Sequence, residues 1–113
     1  MRVISGSAKG RKLKKVPGDT TRPIMDRVKE NLFNILGSWV VNTRWLDLFA
    51  GTGQVGIEAL SRGASEAVFI DTVRAAVKTI EANLRHTKLM GGAEIVQMDA
   101  FDYLRRRGIR PFD

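Results

Sequence analysis

Three aspartates, Asp47, Asp71 and Asp99, each close or directly follow a short apolar segment of this 113-residue chain. The first opens the run Asp47-Leu48-Phe49-Ala50-Gly51-Thr52-Gly53-Gln54-Val55-Gly56. Glycines at that spacing let main-chain N–H groups approach a ligand without an intervening Cβ. A carboxylate at the mouth of such a loop attracts cations and repels phosphate. Asp71 lies 20 residues beyond Gly51 and suits bidentate acceptance from two adjacent hydroxyls. Asp99 could accept from an amino group, with the Ala100 N–H as a neighbouring donor. Each acid also has a plainer use, since aspartates at strand ends commonly cap the following helix.

The elements that would position these acids alternate strictly. Arg44 to Phe49 is short, apolar and aromatic, as a buried parallel strand requires. Ala50 to Gly53 turns, and Gln54 to Arg62 has helical spacing that stops at Gly63. Glu66 to Asp71 is a second strand, and a helix from about Val73 carries Val77, Ile80 and Leu84 on one stripe. Gly91-Gly92 breaks that helix, Ala93 to Met98 is a third strand, and Phe101 to Arg107 a short helix. This order predicts an α/β fold: a Rossmann-like, three-layer domain with a parallel sheet, placing all three acids on one rim.

Upstream, Arg2–Ser5 and Arg11–Val16 form an expected hairpin with a flexible tip at Gly6 to Gly10, followed by a turn at Pro17-Gly18-Asp19. A helix is expected from Pro23 to about Leu36, stopping at Gly37. Its apolar stripe reads Val28, Leu32, Ile35, opposite a mixed face of Asp26, Arg27, Lys29, Glu30 and Asn34. Phe33, Trp39 and Trp45 read as core. The expected division is a basic arm over residues 1–22 and a nucleotide-binding domain over 23–113.

Composition narrows the partners. The net charge is +7. The arm holds Arg2, Lys9, Arg11, Lys12, Lys14, Lys15 and Arg22 against Asp19 alone. Such a concentration suits a polyanion, although a solubilising tail would look the same. There is no cysteine and one histidine, which excludes disulfides and thiolate metal sites and argues against zinc. No apolar run approaches the ~18 residues of a membrane span, and the start does not read as a signal peptide, so a cytoplasmic protein is expected.

Gly51-x-Gly53-x-x-Gly56 with Asp71 formally meets the dinucleotide fingerprint. Asp47 argues against that class, because a pyrophosphate would meet a carboxylate. S-adenosylmethionine carries an ammonium and a sulfonium and no phosphate, so an acid beside the loop suits it. Asp71 then takes the ribose and Asp99 the adenine.

Arg22-Pro23, Asp26-Arg27-Val28-Lys29-Glu30 and Leu32-Phe33-Asn34-Ile35-Leu36, followed by Asp47-Leu48-Phe49-Ala50-Gly51-Thr52-Gly53, resemble the RsmD-type 16S ribosomal RNA guanine-N2 methyltransferases. Arg2-Val3-Ile4-Ser5-Gly6 and Gly10-Arg11-Lys12-Leu13 fit the same family, and the likeness runs along the whole chain. Ile24-Met25 departs from the Thr-containing pair usual after Arg-Pro. The resemblance implies cofactor contacts at Asp47, Phe49, Ala50, Gly51, Thr52, Gly53, Asp71, Thr72, Asp99 and Ala100, closed over by Arg22 and Pro23. It implies RNA contacts at Arg2, Lys9, Arg11, Lys12, Lys14 and Lys15. The implied partner is 16S ribosomal RNA or an assembling small subunit, with no metal, no membrane and a monomeric full-length protein.

The same resemblance places the acceptor chemistry in an Asp/Asn-Pro-Pro-Tyr/Phe motif after a fourth strand. This chain has Pro17, Pro23 and Pro111 and no Pro-Pro. Three parallel strands would leave an open edge, so a domain cut short after the third strand and its helix is expected. The chain as given, lacking a catalytic residue, is expected to be inactive. Of the remaining candidates, Arg105, Arg106, Arg107 and Arg110 read as a solvated helix end and His86 as non-catalytic, while Tyr103 covers the adenine or packs its helix. The alternatives are a nicotinamide-dinucleotide-binding domain and a non-catalytic RNA-binding module.

Overall fold

The computed structural model describes residues 1–18 and 26–113. Three parallel strands in the order β1-β2-β3 form the sheet: β1 (Arg44–Asp47), β2 (Glu66–Asp71) and β3 (Ala93–Gln97). Trp45 pairs with Ala67 and Asp47 with Phe69, while Phe69 pairs with Ile95 and Asp71 with Gln97. The register brings the carboxyl ends of all three strands to one edge. β2 is central and reads Ala67-Val68-Phe69-Ile70 because both its faces are covered.

Period-two alternation assigns those side chains to opposite layers. Ala67 and Phe69 join one core with Ile57 and Leu60 of α2 (Gln54–Ser61) and Ile80 and Leu84 of α3 (Arg74–Thr87). Val68 and Ile70 face the other way, onto Tyr103 of α4 (Ala100–Leu104), with Ile109 and Phe112 packed alongside. The expected last helix is shorter than its sequence pattern, ending before Arg105. Tyr103 is buried in this layer, so it packs its own helix. Phe112 also lies under the Arg44 guanidinium, 4.3 Å from it, and the Asp113 N–H donates to the Arg44 carbonyl at 2.9 Å.

The described part of the first helix, α1 (Asp26–Leu36), buries a face rotated by about a quarter turn from the expected one. Phe33 and Lys29 are fully buried, whereas Val28, Leu32 and Ile35 are exposed, Ile35 by 82%. The reason is the partner surface. Phe33 stacks on Trp45 with ring centroids 5.4 Å apart, and the Lys29 ammonium reaches Glu58 at 3.5 Å and the Arg2 carbonyl at 2.7 Å. Trp39, expected in the core, is half exposed in the turn that follows.

The amino-terminal segment forms no regular strands, but its two arms pair in the antiparallel sense: the Val3 N–H donates to the Arg11 carbonyl at 2.9 Å, the Gly10 N–H to the Val3 carbonyl at 2.8 Å and the Leu13 N–H to the Met1 carbonyl at 3.0 Å. A single antiparallel bridge joins Arg2 to Lys12. Its supposed flexible tip is fastened instead: the Ser7 N–H donates to the Ser61 carbonyl at 2.8 Å and the Ala8 N–H to Ser61 Oγ at 2.9 Å. A Cβ on Gly6 would stand 1.9 Å from the Ser61 carbonyl oxygen, so only glycine permits this approach. Val3, Ala8 and Leu13 enter the same core as Phe69.

Candidate functional site

The three aspartates use one local device at the three strand ends. Asp71 Oδ1 accepts from the Val73 N–H at 2.9 Å and Asp99 Oδ1 from the Phe101 N–H at 2.9 Å, and the Asp47 carboxylate faces the Phe49 N–H in the same relation. A carboxylate that bonds the N–H two residues on makes an Asx turn. Each turn leaves the second residue exposed, so Phe49, Val73 and Phe101 form an apolar rim interleaved with the acids. Sequence reading named Phe49 but missed Val73 and Phe101. The repeated Asp-x-apolar spacing was the signal that could have found them.

Asp71 also binds the loop. Its Oδ2 accepts from the Gly51 N–H at 3.0 Å, so the carboxylate joins the glycine turn to the start of α3. It does not cap that helix, whose first flanking residue is Val73. Each Asp71 oxygen keeps a further lone pair for an incoming hydroxyl. Asp99 does cap: its Oδ1 takes the N–H of Asp102 at 3.1 Å as well as that of Phe101, at the head of α4. Thr72 is exposed between these groups, and its carbonyl accepts from Gln97 Nε2 at 3.2 Å.

Asp47 sits at the other side of the turn. Its carboxylate faces the N–H groups of Phe49 and Gly56, so it lies against the first turn of α2. Burial pushes its carboxyl up to about 6, helped by the nearby Asp71 charge and opposed by the two N–H bonds. The positive end of α2 therefore already faces a carboxylate, in the place a pyrophosphate takes in dinucleotide folds.

The glycines divide their work. Gly51 has φ +56°, and a Cβ there would point into open space. Gly53 has φ +79° and lies close to Ile80, while a Cβ on Gly56 would come 2.4 Å from the Phe69 ring. Gly56 thus allows α2 to pack on β2, and Gly51 leaves the crevice open. Ala50 is buried, its N–H bonded to the Ile70 carbonyl at 3.0 Å. Thr52 is buried too. Ala100 is buried at the head of α4.

Of the basic residues, Arg2, Lys9, Arg11, Lys12, Lys14 and Lys15 are all exposed. Arg2 faces Asp26, with its Nε 3.9 Å from the carboxylate, and Arg11 reaches the His86 carbonyl at 3.4 Å. Arg22 and Pro23, expected to close over the ligand, lie outside the described residues. Exposed His86 is remote from the three strand ends, in the last turn of α3. Among the described residues no group of three or more His, Cys, Asp and Glu side chains could hold a metal, and no helix is long and apolar enough to cross a membrane.

A parallel sheet flanked by helices, with acids and a glycine turn at the carboxyl ends of its strands, is the architecture of α/β domains that bind nucleotide-like ligands. The solved structure of the Escherichia coli protein yhhF superposes on it with a TM-score of 0.83 and 41% sequence identity, covering 95% of this chain and 57% of that one. Residues 1–113 match the family described as Conserved hypothetical protein 95, and the chain belongs to that family. It is 50% identical to Bacillus subtilis YlbH over 100 residues, covering 88% of this chain and 54% of that protein. It is 41% identical over 108 residues to the ribosomal RNA small subunit methyltransferase D of Escherichia coli, covering 96% of this chain and 54% of that protein. The chain spans about half the length of the curated relatives it matches.

Proposed function

We propose that this chain is the methyl-donor half of an S-adenosylmethionine-dependent enzyme that methylates a guanine N2 in 16S ribosomal RNA. The observation that carries the reading is Asp47 against the first turn of α2. A carboxylate there suits the ammonium and sulfonium of S-adenosylmethionine and opposes the phosphates of a nicotinamide dinucleotide. Asp71 retains acceptor capacity for two ribose hydroxyls. Val73 and Phe101 offer apolar surface to an adenine, with Asp99 at its amino edge. Gly51 leaves room for the ligand beside the loop, and Arg22 and Pro23 would close over it.

The exposed cations of the amino-terminal segment supply the electrostatic attraction for RNA on an assembling small subunit. The likeness to the ribosomal RNA small subunit methyltransferase D supports that substrate class. The 113 residues contain no Asp/Asn-Pro-Pro-Tyr/Phe motif, so this reading assigns them binding and orientation of the donor and no catalytic residue. Orienting the sulfonium methyl towards a weakly nucleophilic aryl amine is one part of such catalysis. The setting is cytoplasmic.

Parallel titrations with S-adenosylhomocysteine, NAD and RNA over a range of salt test the proposal. Binding of S-adenosylhomocysteine without NAD supports it. Preference for NAD favours a nicotinamide domain, and salt-dependent RNA binding without either nucleotide favours an RNA-binding module.

A further inference from the structure

The basic segment and the glycine loop meet on one buried side chain. Asn83, in the second half of α3, is 1% exposed. Its Oδ1 accepts from the Lys14 N–H at 2.7 Å, while its Nδ2 donates to the Lys14 carbonyl at 3.1 Å and to the Thr52 carbonyl at 3.0 Å. Both amide hydrogens are thereby used. Taking the N–H and the C=O of one residue together reproduces what a neighbouring strand would do, so Lys14 is held in position and direction. Thr52 lies between Gly51 and Gly53, both at positive φ, in a turn whose Gly51 N–H is held by Asp71 and whose Gly53 N–H is held by the Ala50 carbonyl. The Asn83 bond is what holds the Thr52 carbonyl. A second thread runs beside the first, since Thr52 Oγ1 donates to Met1 Sδ at 3.4 Å.

We infer that Asn83 is a positioning residue that couples the basic segment to the glycine loop, so that RNA held by the one and cofactor held by the other alter each other's affinity. The identity of the two ligands rests on the proposed function; the coupling of the two segments does not. RNA that pulls on Lys12, Lys14 or Lys15 displaces the Lys14 backbone. Asn83 must then follow it or release it, and the Thr52 carbonyl moves or loses its buried donor. Linkage makes the effect reciprocal.

The test compares the chain with its Asn83→Leu and Asn83→Asp variants. S-adenosylhomocysteine affinity is measured with and without a short synthetic RNA hairpin, alongside amide hydrogen exchange over residues 12–16 and 50–54. In the unaltered chain the hairpin is expected to change S-adenosylhomocysteine affinity ~5-fold or more. In Asn83→Leu that factor falls to about 1, within the reciprocity that linkage demands, while each ligand still binds alone. A factor of 1 in the unaltered chain, or an undiminished factor in Asn83→Leu, overturns the inference.

If Asn83→Leu does not fold, exchange in the unaltered chain decides. Hairpin binding must alter both segments, and a change confined to 12–16 overturns the coupling. If neither ligand binds the unaltered chain, the proposed function fails while the tie remains testable. Asn83→Asp keeps an acceptor for the Lys14 N–H but turns one oxygen towards both carbonyls in place of the Nδ2 donor, so it must speed exchange in both segments together. A rise in one segment alone contradicts the tie.

Discussion

Replacing Asp47 by Asn separates the electrostatic cost of this carboxylate from its hydrogen bonding. Asn keeps an oxygen for the Phe49 and Gly56 N–H groups and removes only the charge. In the folded chain the Asp47 carboxyl is raised from 3.8 to about 6, chiefly by burial. At about 1.4 kcal/mol per unit, that shift corresponds to about 3 kcal/mol. Partial exposure lets water screen it, so the usable figure is on the order of 1–3 kcal/mol. The sign follows from proton counting. Between about pH 4 and pH 6 the folded chain holds this proton and the unfolded chain does not, so stability falls as pH rises through that window. Asp47→Asn is therefore expected to be more stable than the unaltered chain at pH 8, by on the order of 1–3 kcal/mol, with the gap closing by about pH 4. Denaturant melts of both chains across that range measure it. A gap that does not change with pH, or a variant less stable at pH 8, refutes the reasoning. The same variant is expected to lose at least about tenfold in affinity for S-adenosylmethionine at pH 8, since the cation then meets a neutral amide.

The remaining predictions concern neighbouring groups. Gly56→Ala drives a methyl into the Phe69 ring and is expected to cost about 1–3 kcal/mol in a melt, whereas Gly51→Ala meets no atom and costs about 1 kcal/mol through its positive φ. Equal costs would remove the division of labour between these glycines. Glu58 is fully buried and accepts from the Ile4 and Ser5 N–H groups, with Arg62 Nε at 2.8 Å and the Lys29 ammonium at 3.5 Å. Burial pushes Lys29 below its ordinary value despite Glu58 and Asp26, so removing the carboxylate strands it. Glu58→Ala is expected to cost about 3–5 kcal/mol, and a loss under about 1 kcal/mol would show that the network does not anchor the amino-terminal segment. Phe101→Ala alters an exposed side chain, so its melt should shift by no more than about 0.5 kcal/mol. Its S-adenosylhomocysteine affinity should nonetheless fall about tenfold, and unchanged affinity would remove the apolar rim from the site.

What the sequence disclosed depended on how local the cause was. Ala67 to Ile70 read as a central strand because four consecutive apolar residues need two covered faces. The glycine turn was legible because its φ requirements sit within the run itself. Both the helix starting near Val73 and its buried residues Ile80 and Leu84 followed from periodicity. α1 was read with the wrong face inward because apolar periodicity was the only local signal. Its orientation is set by Trp45 and Glu58, which lie 12 and 29 residues from Phe33 and Lys29 respectively and come to α1 only through the fold. The fastening of the Gly6 to Gly10 tip depends likewise on Ser61, and the Asn83 tie on a helix far along the chain. The sequence pattern placed Asp47, Asp71 and Asp99 at the strand ends, where the structure has them. Their shared turn, and the exposed Val73 and Phe101 that it presents, needed the backbone to be seen.

The central claim is that a single ligand spans the three strand ends, and backbone amide shifts during a titration with S-adenosylhomocysteine test it most directly. The account predicts saturable shifts concentrated at Phe49–Gly53, Thr72–Val73 and Ala100–Phe101, with NAD producing none. Shifts clustered away from the carboxyl edge of the sheet, or the same pattern produced by NAD, would contradict it.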